Sequence, residues 1–552
     1  MNRTLKVALA QLNVTVGDLK GNTQQIVAAI EQARDQQQAD VIVFPELVIS
    51  GYPPEDLLFR PAFLQRVEQY LAQLAAKCQG ITAIVGAPIQ RDKCLYNEAI
   101  MLQDGKILRH YAKQTLPNYR VFDEKRYFKA GHDSTIISIN GVKLALLICE
   151  DIWHDEPAQQ AKAAGADCLC VLNASPFRVG KREERHQLLS EQSQQHQCAI
   201  IYVNLVGGQD ELVFDGESCL YNAEGHCVYQ APVFTAGTFV STLDFQQAVP
   251  IPIPSSAMLF RSYPEDQLIY QALVLGVRDY VNKNGFSGVL FGLSGGIDSA
   301  LVAAIAVDAL GAEAVEAVMM PFRYTSSMSI EDARQEADTL GINYREMPIE
   351  PIYNSFMSSL ADEFSGTTPD ATEENLQART RGVLLMAMSN KLGKMLLATS
   401  NKSEMSVGYA TLYGDMSGGF APLKDVSKLR VYALARYRNR VAKASGQPEI
   451  IPQRVIDRPP SAELAPDQTD QDSLPPYEVL DPILQAFIEE YQCIDAIVAQ
   501  GYDEATVRRV VNLVLVNEYK RRQAAPGVRI SQRAFGKDRR YPITSAYRRQ
   551  MT

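Results

Sequence analysis

An alternation of short apolar runs with helically spaced stretches occurs twice along this sequence and constrains the fold more than any other feature. Each series is typical of an α/β domain, in which buried strands alternate with the helices that cover them. Between the two series stand Pro250, Pro252 and Pro254, at alternate positions, which hold the chain extended and stop a helix. Two different α/β domains, joined once, are therefore predicted. Their ranges are 1–245 and 265–552, with a linker at 246–264.

The runs also predict individual elements. After the linker, the order helix, strand, glycine-rich turn, helix, strand is the start of a βαβ unit, so a doubly wound parallel sheet is expected. The segment 452–482 is rich in Pro, Asp and Ser and predicts a long polar loop, a kind of segment that is usually functional or mobile. The predicted strands are 5–12, 41–44, 81–86, 144–148, 168–172, 200–203, 289–293 and 314–320, and the predicted helices are 22–38, 61–77, 182–195, 264–284 and 298–310.

Composition and charge exclude several classes of function. The 552 residues include 54 Lys and Arg against 64 Asp and Glu, a net charge of −10, whereas binding to nucleic acid requires a basic surface. The apolar runs are shorter than the ~20 residues that a membrane-spanning helix needs, so no membrane partner is expected. Nine cysteines, a sparse and odd number, indicate reduced thiols and a cytoplasmic location.

The sharpest local signal is a turn of small residues between the predicted strand at 289–293 and the predicted helix at 298–310. Such a turn exposes backbone N–H groups at a helix start, where an anion is favoured. Asp298 follows the glycines where a Walker A loop would have a lysine, and a carboxylate beside phosphates implies a bridging Mg²⁺ ion. The alternative is a tight strand–helix turn with an aspartate cap. The candidate ATP-binding residues are Gly292, Leu293, Ser294, Gly295, Gly296, Ile297, Asp298 and Ser299.

This turn resembles the phosphate loop of the ATP pyrophosphatases, which cleave ATP between its α- and β-phosphates. Segments further along the chain resemble those of the NAD synthetases. The resemblance implies that Thr399 contacts ATP and that Glu404 shares Mg²⁺ with Asp298. On the residues alone, Thr399 could instead be a helix cap, and Glu404 could pair with a surface charge. The matching segments are 374–379, 397–404, 413–415, 422–428, 461–464 and 519–522.

The same resemblance implies a second set of contacts, to a deamidated dinucleotide. Asn375, Glu404 and Lys520 would bind deamido-NAD⁺, and Arg379 and Lys428 are further candidates for contacts to phosphates. A solvated helix charge is the alternative for Arg379 and Lys520, and Lys428 is hard to distinguish by sequence from its basic neighbours.

In the first half of the chain, three polar residues stand at the ends of apolar runs: Glu46, Lys113 and Cys149. Strand ends lie at the rim of a sheet, where sites form. A thiol, a carboxylate and an ammonium group are the parts needed to hydrolyse an amide through a thioester, as nucleophile, proton carrier and oxyanion stabiliser. Taken alone, Cys149 could equally be a small buried hydrophobic residue.

These positions resemble the Glu–Lys–Cys triad of the nitrilase, or carbon–nitrogen hydrolase, superfamily. The resemblance implies an αββα sandwich over 1–245, with Glu46, Lys113 and Cys149 as catalytic residues. It also implies that Tyr119, Ser175 and Lys181 bind a substrate glutamine, although Lys181 could be a surface charge. Glu124 matches a second glutamate of the superfamily and either orients Lys113 or pairs with the adjacent basic residues. The matching segments are 44–47, 113–119, 122–124 and 149–153.

The order of the two modules resembles the glutamine-dependent NAD⁺ synthetases over nearly the whole chain. The resemblance implies an ATP-dependent carbon–nitrogen ligase that hydrolyses L-glutamine, adenylates deamido-NAD⁺ with Mg·ATP and amidates the adenylate to NAD⁺. It also implies a homo-oligomer and a shielded route for ammonia. Two alternatives stay open at this point: the same modules could amidate another carboxylate, or the chain could be a non-catalytic nucleotide sensor. The intact triad and phosphate loop argue against the sensor.

Overall fold

The computed structural model describes residues 3–245, 262–466 and 468–550. The chain divides into two compact units, Met1–Tyr263 and Pro264–Thr552. Most of the predicted linker, 246–261, lies outside the described residues, so the linker stays a prediction. Within the described ranges, no helix combines the length and the apolar character needed to cross a membrane.

Two six-stranded sheets form the described part of the first unit, in the orders β14-β1-β2-β3-β4-β5 and β13-β12-β9-β8-β7-β6, beside a β10-β11 hairpin. The strands are β1 (Thr4–Gln11), β2 (Val41–Val43), β3 (Thr82–Arg91), β4 (Cys94–Gln103), β5 (Lys106–Ala112), β6 (Ile136–Ile139), β7 (Val142–Ile148), β8 (Cys168–Asn173), β9 (Ala199–Asn204), β10 (Val206–Gln209), β11 (Leu212–Asp215), β12 (Cys219–Tyr221), β13 (Cys227–Gln230) and β14 (Gly237–Asp244). The helices are α1 (Leu19–Glu31), α2 (Pro61–Lys77), α3 (Asp155–Ala163) and α4 (Lys181–His196).

The side chains of β1 show why these sheets stack into four layers. Successive residues of a strand point to opposite faces. Leu5, Val7 and Leu9 therefore pack in one core with the apolar residues of the second sheet, whereas Ala8 and Ala10 pack in another core with helices α1 and α2. The second sheet packs in turn against α3 and α4. The predicted αββα sandwich is confirmed, and the carboxyl ends of β2, β5 and β7 carry the triad candidates.

The described part of the second unit contains a four-stranded parallel sheet in the order β17-β16-β15-β18. Its strands are β15 (Val289–Gly292), β16 (Val315–Met319), β17 (Asn343–Glu346) and β18 (Met395–Leu396). Its helices are α5 (Glu265–Lys283), α6 (Ile297–Leu310), α7 (Ser327–Leu340), α8 (Glu350–Ser359), α9 (Ala371–Leu392), α10 (Lys402–Val407), α11 (Lys428–Ala444), α12 (Gln453–Asp457), α13 (Tyr477–Leu484), α14 (Ile494–Val498), α15 (Glu504–Val516) and α16 (Glu518–Arg521).

The sheet order places β15, with the phosphate-loop candidate at its end, between β16 and β18 in the interior of the sheet. A site at the carboxyl end of such a strand is the usual position for a ligand in an open α/β sheet. The predicted doubly wound parallel sheet is confirmed.

The prediction of one long polar loop at 452–482 is wrong at both ends of that segment. Helix α12 begins at Gln453, and α13 begins at Tyr477. The few apolar side chains of the segment decide this outcome, because Leu474, Tyr477 and Leu480 are buried in a core shared with α10 and α15. Among the described residues between these two helices there is one 3₁₀ turn, Asp470–Asp472, and no α-helix.

Candidate active sites

The first site forms where three strands of the first unit end. Glu46 lies three residues beyond β2, and Lys113 and Cys149 directly follow β5 and β7. Lys113 Nζ donates to Glu46 Oε1 at 2.7 Å, and both side chains are fully buried. Glu46 also accepts from Asn97 Nδ2 at 2.7 Å and from the backbone N–H of Ala174 at 3.2 Å. Its carboxylate is thus held from three directions.

Glu124 completes this buried group. Lys113 Nζ donates to Glu124 Oε1 at 2.9 Å, and the Tyr52 hydroxyl donates to the same oxygen at 3.2 Å. Of the two alternatives for Glu124, the geometry therefore supports contact with Lys113. Burial would lower the pKa of Lys113, but Glu124 and Glu46 outweigh burial and raise it well above its ordinary value. Burial raises the pKa of Glu124, and Glu46 raises it further against the opposing charge of Lys113.

Cys149 opens a 3₁₀ turn, Cys149–Trp153, with a positive φ of 45°. A non-glycine residue in this region is uncommon, and such backbone is found at functional sites. The side chain is buried, and burial followed by the charge of Glu46 raises the pKa of its thiol well above the ordinary value. The resting sulfur is therefore protonated and needs a base to become a nucleophile.

Two of the three glutamine-binding candidates, Tyr119 and Lys181, lie near Cys149, and the third, Ser175, follows Ala174, whose backbone N–H donates to Glu46. The charges of Tyr119 and Lys181 both interact with that of Cys149. Lys181 Nζ lies 3.4 Å from the centroid of the Trp153 ring, a cation–π contact. Ser175 follows β8 in a buried loop, where its backbone N–H donates to Asn204 Oδ1 at 2.9 Å.

Sequence reasoning missed three residues of this site. Glu150 accepts from the Tyr119 hydroxyl at 2.9 Å, so a carboxylate faces the glutamine candidates. Asn97 binds Glu46, as above, and Asp151 bonds to the backbone on both sides of the site. The acidic pair that follows Cys149 was visible in the sequence, but nothing in the spacing showed that its two carboxylates point to different partners.

The second site is the turn at Gly292–Ser299. The Ser299 hydroxyl accepts from the backbone N–H of Ser294 at 3.2 Å and donates to the carbonyl of Gly296 at 3.0 Å, which curls the turn into the start of α6. Gly295 has a φ of 77°, and a Cβ there would lie 2.2 Å from the carbonyl oxygen of Ser329. Only glycine fits this position, so the close approach of two backbones shapes the loop.

A buried lysine joins the two predicted Mg²⁺ ligands. Lys428 Nζ lies 2.5 Å from Asp298 Oδ2 and 3.1 Å from Glu404 Oε1. Burial raises the pKa of Glu404, and the charge of Lys428 opposes this while that of Asp298 adds to it. Asn401 Nδ2 donates to the other oxygen of Asp298 at 2.8 Å, which fixes the carboxylate.

The donor set fits Mg²⁺ in the way that nucleotide sites usually hold it. Within the described residues, no cluster of three or more protein ligands could hold a metal alone. Mg²⁺ is commonly bound by one or two carboxylates, with substrate phosphates and water as its remaining ligands. Asp298 and Glu404 face one point beside the phosphate-loop candidate, so together with ATP they fit the ion.

One cavity is lined by all of the ATP candidates except Gly295. Its lining includes Ser294, Asp298, Thr399, Glu404, Lys428 and Ser461. It also includes Arg381 but not the predicted Arg379, which is exposed and donates to the carbonyl of Leu412 at 3.2 Å. Arg379 therefore lies outside the lining of this cavity, and its contact to phosphates stays a prediction. Burial lowers the pKa of Arg381 to about 10.

The deamido-NAD⁺ candidates Asn375 and Lys520 both contact a short segment that borders this cavity. Asn375 Oδ1 accepts from the Thr411 hydroxyl at 2.7 Å, and Thr411 lines the cavity. Lys520 Nζ donates to the carbonyls of Gly408 and Ala410, both at 2.8 Å. Both side chains therefore contact the short segment 408–411, although they lie far apart in sequence.

The polar stretch after α12 also borders the cavity. Arg458 Nη2 donates to the carbonyl of Gly295 at 2.8 Å, and Glu463 accepts from the Ser329 hydroxyl at 2.6 Å. Gln377 Nε2 reaches the carbonyl of Leu464 at 3.0 Å. The stretch is thus bonded to the phosphate loop and to α9, and it covers the space between them.

The folds and the two sites define a two-module protein, a carbon–nitrogen hydrolase followed by a nucleotide-dependent synthase. The family model described as carbon-nitrogen hydrolase matches residues 6–252, and the model described as NAD synthase matches 269–524. The chain is 48 % identical over 550 residues to the glutamine-dependent NAD(+) synthetase of Xylella fastidiosa, covering 99 % of this chain and 100 % of that one. That of Acinetobacter baylyi is 49 % identical, with 99 % of each chain covered.

A solved structure agrees with these relatives. The glutamine-dependent NAD+ synthetase from Acinetobacter baumannii, in complex with adenosine diphosphate, is 46 % identical, with a TM-score of 0.78 and 98 % of each chain covered. The chain belongs to the family of glutamine-dependent NAD(+) synthetases. The predicted family and the predicted ATP-dependent ligase with glutamine as nitrogen donor are thereby confirmed.

Proposed function

We propose that the first unit releases ammonia from L-glutamine at Cys149 and that the second uses ATP to amidate deamido-NAD⁺ at the phosphate loop. The observation that carries the proposal is the buried contact of Lys113 with Glu46 and Glu124 next to Cys149. Burying an ammonium group and two carboxylates costs free energy. A role in the cleavage of an amide by the adjacent thiol accounts for their burial. The cavity lined by Asp298, Glu404 and Lys428 is the proposed site of the second reaction.

Glutamine hydrolysis follows from the geometry of the first site. Glu46 removes the proton of the Cys149 thiol, and the sulfur attacks the side-chain carbonyl carbon of glutamine. Lys113 stabilises the oxyanion, and Glu46 returns the proton to the departing nitrogen, so that ammonia leaves and a thioester forms. Glu46 then takes a proton from water, the hydroxide attacks the thioester, and glutamate leaves as the proton returns to sulfur.

The end of glutamine that carries its ammonium and carboxylate groups would be bound by Tyr119, Ser175, Lys181 and Glu150. A glutamine carries an ammonium and a carboxylate far from its amide, and the site offers both signs of charge. Lys181 fits the carboxylate, and Glu150, held by the Tyr119 hydroxyl, fits the ammonium. Such contacts orient the amide over Cys149.

Amidation requires activation, because a carboxylate is a poor electrophile. A carboxylate oxygen of deamido-NAD⁺ attacks the α-phosphorus of ATP, and the bond to pyrophosphate breaks. Ammonia attacks the resulting acyl carbon, the bond to AMP breaks, and one proton is lost to leave the amide. The loop N–H groups and Lys428 hold the phosphates, and Thr399 lines the same cavity. Mg²⁺ held by Asp298 and Glu404 would neutralise phosphate charge.

Two further properties belong to this proposal. Free ammonia becomes ammonium in water, so a shielded route between the reactions is expected, and assembly into a homo-oligomer would help to enclose it. Reduced cysteines and small-molecule substrates fit a cytoplasmic enzyme. Asn375, Glu404 and Lys520 are the residues proposed to contact deamido-NAD⁺.

A single assay tests the proposal. Purified protein is given L-glutamine, Mg·ATP and deamido-NAD⁺, and NAD⁺, AMP, pyrophosphate and glutamate are measured. We expect NAD⁺, AMP and pyrophosphate to appear in equal amounts, and Asp298→Asn to abolish all three. A well-folded protein that released pyrophosphate with no NAD⁺, or that turned over neither glutamine nor ATP, would overturn the assignment.

A further inference from the structure

Asp151 is a fully buried carboxylate two residues after Cys149, in the same 3₁₀ turn. Its Oδ1 accepts from the backbone N–H groups of Thr115 at 2.8 Å and Gln114 at 3.1 Å. Its Oδ2 accepts from the backbone N–H of Ile148 at 2.9 Å and from the Tyr111 hydroxyl at 2.8 Å. All four donors are fixed, three of them by the backbone.

The positions of these donors show which segments of the chain the carboxylate connects. Gln114 and Thr115 are the two residues after Lys113, and Ile148 is the residue before Cys149. Strand β5, which leads into Lys113, belongs to one six-stranded sheet, and β7, which leads into Cys149, belongs to the other. Asp151 therefore bonds the two sheets to each other at the edge that carries the proposed cation and nucleophile.

Packing alone fixes two stacked sheets loosely along the strand direction, because apolar contacts are non-directional. Hydrogen bonds to a carboxylate are directional and stronger than those between neutral groups. The hydrogen bonds of Asp151 thus tie the backbone next to Lys113 to the backbone next to Cys149.

We propose that Asp151 is a positioning residue for glutamine hydrolysis, which holds the ammonium of Lys113 and the sulfur of Cys149 in register across the two sheets. The proposal rests on the function proposed for the Cys149 site. It assigns no contact between Asp151 and the substrate. Misplacement of a reacting group by about 1 Å can cost about 100-fold in rate, so a defect in this link is measurable.

Asp151→Asn keeps the hydrogen bonds on the Lys113 side of Asp151 and removes the bond to Ile148 on the Cys149 side. One oxygen can still accept from Gln114 and Thr115, but the new amide nitrogen faces the N–H of Ile148, and two donors cannot pair. The shape of the side chain is retained. The matched control is Asp155→Asn, a neighbouring exposed aspartate whose contact is to Gln192 rather than to the triad segments.

The experiment uses the full chain and measures glutamine hydrolysis, the number of Cys149 thiols that react with iodoacetamide, and ammonia-driven NAD⁺ formation. For Asp151→Asn we expect the kcat of glutamine hydrolysis per reactive thiol to fall about 100-fold. The KM for glutamine should change less than about threefold, because the glutamine candidates do not bond to Asp151. Ammonia-driven NAD⁺ formation and the Asp155→Asn variant should match wild type.

The opposite results separate a structural role from a positioning one. If fewer thiols react but each retains the wild-type kcat, Asp151 only supports folding and the proposal is overturned. If Asp151→Asn does not fold, Tyr111→Phe, which removes one of the four bonds, should lower kcat per thiol severalfold, and an unchanged kcat would overturn the proposal. Failure of wild type to hydrolyse glutamine, or activity in Cys149→Ala, would instead contradict the proposed function of the site.

Discussion

Lys428 Nζ lies 2.5 Å from Asp298 Oδ2 at the start of α6, and the same ammonium lies 3.1 Å from Glu404. Burial would lower the pKa of Lys428, but the two carboxylates raise it well above its ordinary value, so the ammonium stays charged at neutral pH. One cation thus holds together the oxygens that we propose for Mg²⁺. We propose that this ammonium and Mg²⁺ are alternative counter-charges for the same pair.

Lys428→Met removes this counter-charge and leaves two carboxylates facing each other. Without Mg²⁺, we expect the free energy of unfolding to fall by roughly 3 kcal/mol, the usual effect of breaking a buried ion pair. Saturating Mg²⁺ should recover more of this loss in the variant than it adds to wild type. Chemical unfolding with and without Mg²⁺ measures both. Lys443→Met, an exposed lysine on the same helix, is the control, and equal Mg²⁺ effects on wild type and Lys428→Met would contradict the shared site.

Cys149→Ala tests whether the two reactions are separable. The variant loses the nucleophile but no residue of the second unit, so glutamine-driven NAD⁺ formation should fall at least about 1,000-fold while ammonia-driven formation stays within about twofold. Initial rates with each nitrogen donor provide the measurement. Cys170→Ala, a buried cysteine within β8, is the control for loss of a thiol. Loss of both activities in a folded Cys149→Ala protein would count against independent sites.

The sequence predicted the positions of the triad because each member ends a visible apolar run. Strand ends follow from hydrophobic pattern and length, and β2 and β5 run in the same direction within one sheet, which brings Glu46 and Lys113 to one rim of that sheet. The glycine-rich turn was predicted because it also follows an apolar run and is rich in glycine. Gly295 adopts a backbone conformation that other residues avoid.

The direction of each side chain could not be predicted in the same way. Arg379 and Arg381 lie two positions apart on α9, about 200° around a helix, so only one can face the cavity. The pattern of α9 does not show which, because apolar residues occur all round it: Val383 and Met386 are exposed, while Leu385 is buried. Asp151 was missed because three of its four partners lie 36 to 40 residues earlier, in β5 and the segment after it, a pairing that no local pattern encodes.

The pH dependence of glutamine binding tests the role of Lys181. Burial, followed by the charges of Arg178 and Arg185, lowers the pKa of Lys181 to about 8. If its ammonium holds the substrate carboxylate, the KM for glutamine is flat below that pH and rises up to tenfold per pH unit above it, whereas kcat follows other groups. Lys181→Arg stays charged throughout, so its KM should not rise in that range. A wild-type KM independent of pH from 7 to 9 would remove Lys181 from the glutamine site.

Glu336 on α7 provides a test in stability rather than activity. Its side chain is buried, and neither carboxylate oxygen has a hydrogen-bond partner. Burial, and then the charge of Asp332, raises the pKa of Glu336 well above its ordinary value of 4.5. At pH values between 4.5 and the raised pKa of Glu336, the folded protein binds one more proton than the unfolded chain. The free energy of unfolding therefore falls as pH rises, by up to ~1.4 kcal/mol per pH unit.

Glu336→Gln removes this titration, so we expect it to be more stable than wild type at pH 8, by about 1–2 kcal/mol, and no more stable at pH 4. Glu331→Gln, on the same helix but with an exposed side chain paired with Arg454, should change stability by less than about 1 kcal/mol at either pH. Urea unfolding of the three proteins at both pH values gives the comparison. A Glu336→Gln variant that is less stable than wild type at pH 8 would mean that the carboxylate is ionised and held by a favourable interaction in the folded protein.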